Sequence, residues 1–211
     1  MYRLISATPS PYARKVRIAL AEKAIPFALI TEVPWDKTTV TPRYNPLEKL
    51  PILLLEDGSS IYESCFILEY LELKHPSPPL LSANIDERVA ARRLEVLCDG
   101  VCDAVVLTFF ERRRALGCQS SEWLARQRRK IEGGVQEMAR LVGDRQWAVG
   151  GRLGLGDIAV GTALGYLAVR FAEFDWRSLY PALAAFRDRL EERPSFATSR
   201  PVPQTIRDPV V

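Results

Sequence analysis

A change of texture near residue 75 constrains this chain more than any other feature. Before it, short apolar runs alternate with helix-length patterns. Beyond it, apolar residues recur at helical spacing over long stretches with hardly a strand signal. The two regimes meet at His75-Pro76-Ser77-Pro78-Pro79, which cannot continue a helix, because proline lacks the N–H and its ring clashes with the preceding turn. The pattern predicts two domains, residues 1–78 and 79–211. A chain of 211 residues is long enough for each to bury a core.

In the first part, Tyr2–Ala7 is strand-like. Pro11–Lys23 carries Ala13, Val16 and Leu20 at helical spacing, with Ser10 as N-cap and Pro11 at the first helical position. Phe27–Val33 is again strand-like. Ile52–Leu55 and Ser60–Tyr62 form a hairpin about Asp57-Gly58, and Ser64–Lys74 is a helix with Ile67, Leu68 and Leu71 on one side. A βαβ unit followed by a hairpin and a covering helix makes a small mixed sheet. The expected fold class is an α/β thioredoxin-like N-terminal domain plus an all-α C-terminal domain. The latter's helices are expected over Ile85–Ala115, Ser121–Val142, Gly156–Phe171 and Tyr180–Arg193, followed by a proline-punctuated tail over 198–211 that wraps the surface.

Composition removes several function classes. Twenty-nine basic against 26 acidic residues leave a net charge of +3, too mild for a nucleic-acid binder. The clusters Arg112–Arg114 and Arg126–Lys130 lack interleaved aromatics and read as solvated helix faces. No apolar run reaches the roughly 18 residues of a membrane span. Cys65, Cys98, Cys102 and Cys118 form no CxxC pair, and with one histidine a metal site has few ligands to draw on. Reduced thiols in the cytoplasm are expected.

Three constellations carry chemistry. At the first strand-to-helix junction stands Ser10-Pro11-Tyr12-Ala13, where a redox domain of this layout would carry CxxC. Ser10 and Ala13 cannot form a disulfide, so dithiol chemistry is excluded there. A hydroxyl at a helix N-terminus can cap the helix, or it can donate to a thiolate and lower that thiol's pKa. Thr8 is a second hydroxyl nearby. Next, Asn45-Pro46-Leu47-Glu48-Lys49-Leu50-Pro51 leads into the hairpin. Pro51 either simply starts the strand or follows a cis bond that leaves the Leu50 N–H and C=O free for an extended peptide. Finally, Glu63 and Ser64 open the second helix; a carboxylate and a helix-terminal hydroxyl match an amino acid's ammonium and carboxylate.

Taken in order, these motifs resemble the N-terminal domain of the cytosolic glutathione transferases. Ser10–Arg17 is similar to the catalytic-serine motif of the theta, delta and zeta classes, as in bacterial members. Asn45–Pro51 resembles the family's N-P-x-x-x-V-P stretch, with Leu50 for valine, and Glu63-Ser64 resembles its glutathione-binding pair. Gly154-Leu155-Gly156-Asp157-Ile158-Ala159 is similar to the S/T-x-A-D-I-A helix start of the second domain, with glycines replacing the capping hydroxyl and the alanine. The resemblance covers the whole chain. Tyr2 and Tyr12 do not stand where tyrosine-type classes place theirs.

The resemblance implies a glutathione transferase that activates the thiol for conjugation to a small hydrophobic electrophile. Ser10 would be catalytic, while Leu50, Pro51, Glu63 and Ser64 would bind glutathione, a co-substrate with no cofactor or metal required. The electrophile would lie between the domains against Leu107, Phe109 and Phe110. A homodimer is implied, with Asp99 or Asp103 within reach of the partner's γ-glutamyl amine, and neither nucleic acid nor membrane is a partner. Two alternatives stand beside this. One is a zeta-like glutathione-dependent isomerase, whose class carries a cysteine where this chain has Tyr12. The other is a non-catalytic interaction protein of the starvation type.

Overall fold

A computed structural model describes residues 1–210. They form two compact units, one of Met1–Leu80 with Pro194–Pro209 and the other beginning at Leu81 and running to Arg193. Among the described residues, no helix is long and apolar enough to cross a membrane.

The first unit is built on a four-stranded sheet. Strands β1 (Tyr2–Ser6), β2 (Phe27–Thr31), β3 (Ile52–Leu54) and β4 (Ser60–Tyr62) lie in the order β2-β1-β3-β4. β1 and β2 are parallel across helix α1 (Pro11–Glu22), while β3 runs antiparallel to both β1 and β4. All three β3 residues are buried, as expected of an apolar strand covered on both faces. Helix α2 (Ser64–Lys74) contributes Ile67, Leu68 and Leu71 to the same core. Gly58 adopts φ +87° in the hairpin turn, a conformation in which glycine carries no Cβ penalty.

The second unit is helical. It comprises α3 (Ile85–Glu111), α4 (Ser121–Val142), α5 (Leu155–Arg170), the one-turn α6 (Trp176–Leu179) and α7 (Pro181–Glu191). α3 packs against both α4 and α5, and α5 is buried continuously from Leu155 to Leu167, as a helix apolar on all sides must be. Asn84 caps α3 by accepting from the Asp86 and Glu87 N–H groups at 2.9 and 3.1 Å, and Ser120 caps α4 by accepting from Trp123 at 3.2 Å. α3 ends at Glu111, four residues before the expected Ala115. There the Gln119 Nε2 donates to the Arg112 and Arg114 carbonyls at 3.2 and 2.8 Å, so the chain end is held by a side chain without another helical turn.

The Gly154 departure is compensated locally. Glycine offers no capping side chain, but Asp157 Oδ2 accepts from the Gly154 N–H at 2.8 Å and Oδ1 from the Ala148 N–H at 2.7 Å. The carboxylate thus supplies the reciprocal half of a capping box and also ties down the preceding loop.

The last helix, α8 (Pro194–Ala197), and the tail beyond it pack in the first unit. Arg14, which is buried in α1, donates to the Phe196 carbonyl at 3.1 Å and to Ser199 Oγ at 3.3 Å, and stacks over the Phe196 ring at 5.6 Å. Farther along, Asp36 Oδ1 accepts from the Arg207 N–H at 2.8 Å, and Asp208 Oδ2 accepts from the Lys37 N–H at 2.6 Å.

Candidate functional site

Strand register gathers the three constellations at one end of the sheet. Ile5 pairs with Ile52, and Ile52 with Tyr62. Beyond that row β1 runs out toward Ser10, β3 begins from Pro51, and β4 runs on into Glu63. Parallel β1 and β4 therefore point toward the edge at which antiparallel β3 enters.

Ser10 is the N-cap of α1, with extended backbone (φ −63°, ψ 118°) and its Oγ accepting from the Ala13 N–H at 3.2 Å. As an acceptor in that bond, the hydroxyl still has a proton to donate. Capping and donation to a ligand are thus compatible. Thr8 is not a substitute donor, because its Oγ1 donates to the Val202 carbonyl at 3.0 Å. Nor is Tyr2 available: its hydroxyl lies 3.0 Å from His75 Nε2 and 3.4 Å from the Tyr70 hydroxyl, and burial, with help from Tyr70, pushes its pKa up to about 12.

The Leu50–Pro51 peptide is cis. The Leu50 side chain is buried in a cluster with Ile5, Ala7, Ile52 and Leu54, while its N–H and C=O make no backbone hydrogen bond among the described residues. A second cis bond, Ser77–Pro78, lies in the proline-rich stretch where the two sequence regimes meet. Asn45, fully enclosed, braces the approach: its Nδ2 donates to the Lys49 carbonyl at 2.8 Å, its Oδ1 accepts from the Leu47 N–H at 2.9 Å, and its carbonyl accepts from the Glu48 N–H at 3.0 Å. Asn45 belongs to the motif that leads to Pro51, and its bracing role is visible only in the fold. Its signal was an asparagine before proline, a common turn former whose side chain bonds nearby backbone.

Glu63 stands at φ 72°, ψ 123°, a left-handed conformation unusual for a side chain of its size. Nothing in the local sequence announces it. It is exposed, and its carbonyl accepts the Ile67 N–H at 2.9 Å, the first bond of α2. Ser64 follows as the first helical residue, fully buried, with an Oγ that finds no hydrogen-bond partner. A buried hydroxyl without a partner is costly, and a ligand group at the α2 N-terminus would remove that cost. In the helical unit, Leu107 is exposed, Phe109 and Phe110 are half-buried, Asp99 is half-buried and Asp103 exposed.

This fold and these motifs coincide with known families. Residues 9–74 match the glutathione S-transferase N-terminal domain, and residues 121–189 match the C-terminal domain. A crystal structure of a glutathione S-transferase from Methylobacterium radiotolerans, in complex with glutathione sulfonate, is 69% identical with a TM-score of 0.98, over 100% of this chain and 99% of that one. Another from Methylobacillus flagellatus, with glutathione bound, is 40% identical with a TM-score of 0.92, over 96% of this chain and all of that one. The GST-like protein YibF of Escherichia coli is 33% identical over 94% of this chain and 98% of its own length. The chain belongs to the glutathione S-transferase family and is a glutathione transferase.

Proposed function

We propose that this enzyme activates the thiol of glutathione at Ser10 and adds it to a small hydrophobic electrophile. The γ-glutamyl end meets Glu63 and Ser64, with the ammonium on the Glu63 carboxylate and the carboxylate at the α2 N-terminus. The cysteinyl backbone pairs with the Leu50 N–H and C=O beside Pro51, and the sulfur faces Ser10. The supporting observation is the Ser10 hydroxyl, which accepts the Ala13 N–H and so keeps its own proton for the sulfur.

A free thiol has a pKa of about 8.5, and each unit of lowering is about 1.4 kcal/mol of preference for the thiolate. One hydrogen bond to a charged group contributes about 1.5–3 kcal/mol, so a single hydroxyl shifts a useful fraction of bound thiol into its reactive form. The electrophile packs against Leu107, Phe109 and Phe110.

The enzyme acts as a homodimer in the cytoplasm. For the dimer contact, α3 offers Ile85, Val89 and Val96, which are 67%, 60% and 73% exposed, flanked by Arg88, Arg92 and Arg93. α2 offers Phe66 and Leu73, 56% and 73% exposed, on the helix that also carries Glu69. These complementary surfaces of two copies bury each other, and Asp99 or Asp103 then approaches the partner's γ-glutamyl amine. Sedimentation as a monomer near 24 kDa (the chain mass is 23.8 kDa) would remove this contact.

Ultraviolet absorbance of the bound thiolate, titrated against pH, tests the role of Ser10. Ser10→Ala also removes a helix cap worth about 1 kcal/mol, whereas Ser10→Gly loses only a few tenths, so both variants are compared. The expected result is a raised thiol pKa and reduced turnover in both, with glutathione affinity little changed. An unshifted titration with activity retained would make the serine a cap only. A protein that fails to bind a glutathione column would favour an interaction role over an enzyme.

A further inference from the structure

Two arginines of the helical unit share one aromatic ring. The guanidinium carbon of Arg170 lies 4.1 Å from the Phe109 ring centroid, and that of Arg113 lies 5.5 Å from it. Phe110 meets Phe109 edge-on at 5.1 Å. The neighbouring arginines at the same end of α3 are neutralised: Arg112 pairs with Glu173 at 2.6 Å, and Arg114 with Glu111 at 3.4 Å. Among the described residues, neither Arg113 nor Arg170 has a carboxylate at ion-pair distance; the Arg170 guanidinium hydrogen-bonds the Tyr166 side chain, but its Nε is buried without an acceptor.

Helix dipoles account for part of this. α5 ends at Arg170 and α3 ends shortly before Arg113, and cations are stabilised at helix C-termini. The dipole does not supply an acceptor to the Arg170 Nε, however, nor does it relieve the repulsion of two cations held on one ring. An anion set between the two guanidinium groups removes that repulsion. The ring that the arginines flank belongs to the residue pair, Phe109 and Phe110, against which the electrophile packs.

We propose that Arg113 and Arg170 bind an anionic group of the second substrate, so that the preferred electrophile is an aromatic or unsaturated carboxylate whose apolar part lies on Phe109 and Phe110. The chemistry, though not the binding, rests on the transferase reading above. With a chlorinated dinitrobenzoate, the glutathione sulfur forms a C–S bond at the chlorine-bearing carbon, the C–Cl bond breaks, chloride leaves with the electron pair, and the thiol proton passes to solvent. The substrate carboxylate takes no part in the bond changes; it orients the ring.

The test uses the intact protein with two acceptors that differ in one charge, methyl 4-chloro-3,5-dinitrobenzoate and 4-chloro-3,5-dinitrobenzoate, together with calorimetric binding of unreactive 3,5-dinitrobenzoate. Wild-type protein is expected to favour the carboxylated acceptor in kcat/KM by about tenfold, the scale of one charge-assisted contact, and salt should erode that preference. Arg113→Gln and Arg170→Gln should abolish the preference and weaken dinitrobenzoate binding. Arg128→Gln, on an exposed face of α4 where it pairs with Glu132, should change neither. Arg113 is exposed, so its variant remains informative if Arg170→Gln does not fold. Conjugation of neither acceptor, with dinitrobenzoate binding still lost in Arg113→Gln, upholds the anion site and overturns the transferase reading. Equal dinitrobenzoate binding by wild type and Arg113→Gln overturns the anion site, whatever the turnover.

Discussion

Lys23 Nζ lies 2.6 Å from Glu72 Oε1, with the lysine side chain fully buried and that of Glu72 only 9% exposed. Its ammonium also donates to the His75 and Pro78 carbonyls at 2.7 and 2.9 Å, while the same Glu72 oxygen accepts the Leu80 N–H at 3.1 Å. One buried cation therefore fixes both a carboxylate and the proline-rich segment that leaves α2. Lys23→Met would take the buried ammonium away from Glu72 and the donor from two carbonyls. Breaking a buried pair from one side costs about 3–5 kcal/mol, and urea denaturation should register that loss. A change below about 1 kcal/mol would mean that water replaces the ammonium.

Gly134 in α4 sits against Val101 in α3. A Cβ built on Gly134 would lie 2.2 Å from Val101 Cγ2, inside any tolerable contact. The valine cannot turn away cheaply, since a β-branched residue in a helix has one strongly preferred rotamer. Gly134→Ala gains about 1 kcal/mol of helix propensity but overpacks the interface, which typically costs 1–3 kcal/mol. We expect net destabilisation of about 1 kcal/mol by thermal or chemical unfolding. Gly134→Ala with Val101→Ala should recover part of it.

These two contacts mark where the sequence was legible and where it was not. α4 matches its expected bounds because Ser120 and Gly143 punctuate it, the one as a side-chain cap and the other at φ +57°. The hairpin was equally open to reading through Asp57-Gly58, and the order of elements through alternating apolar periodicity. Arg14 and Lys15 were not, although both are 1% exposed. Their residue types signal solvent, and the partners that bury Arg14 lie at Phe196 and Ser199, 182 and 185 residues away. The same distance hid the return of the tail. At the candidate site, the motifs marked the segments that the strand register gathers at one end of the sheet; the backbone of Glu63 was not legible, because a carboxylate side chain carries no mark of positive φ.

Asp157 gives the protein a pH dependence that can be isolated. Burial raises its pKa from the ordinary value of 3.8 to about 6, although backbone N–H groups of Ala148, Gly154 and Asp157 itself oppose the rise. The native state therefore holds this proton where the unfolded chain has released it. The contribution to stability is complete below about pH 4 and is lost as pH rises through about 6. The difference between those two pKa values corresponds to about 3 kcal/mol. Asp157→Asn removes the titration. Unfolding free energies of wild type minus variant should thus fall between pH 4 and pH 7 and be flat above. A difference that rises over that interval would mean the N–H groups outweigh desolvation.

The strain at Glu63 separates binding from stability. Its left-handed backbone costs on the order of 1–3 kcal/mol for a residue with a Cβ, and it persists because the last residue of β4 and the first of α2 fix the chain on either side. Glycine adopts this conformation freely, at the expense of about 0.5–1 kcal/mol of extra unfolded-state entropy. Glu63→Gly should therefore be more stable than Glu63→Ala by about 1 kcal/mol. If Glu63 holds the γ-glutamyl ammonium as proposed, both variants lack its carboxylate and should raise KM for glutathione about tenfold, the worth of one charged hydrogen bond. Saturated kcat should change less, since ground and transition states hold the γ-glutamyl group alike. Glu63→Gln keeps an acceptor oxygen and the strain, and should fall between wild type and Glu63→Ala in KM with the stability of neither improved. Equal glutathione affinity in wild type and Glu63→Ala would place the ammonium elsewhere, while equal stability of the glycine and alanine variants would show that the backbone at this position is relaxed.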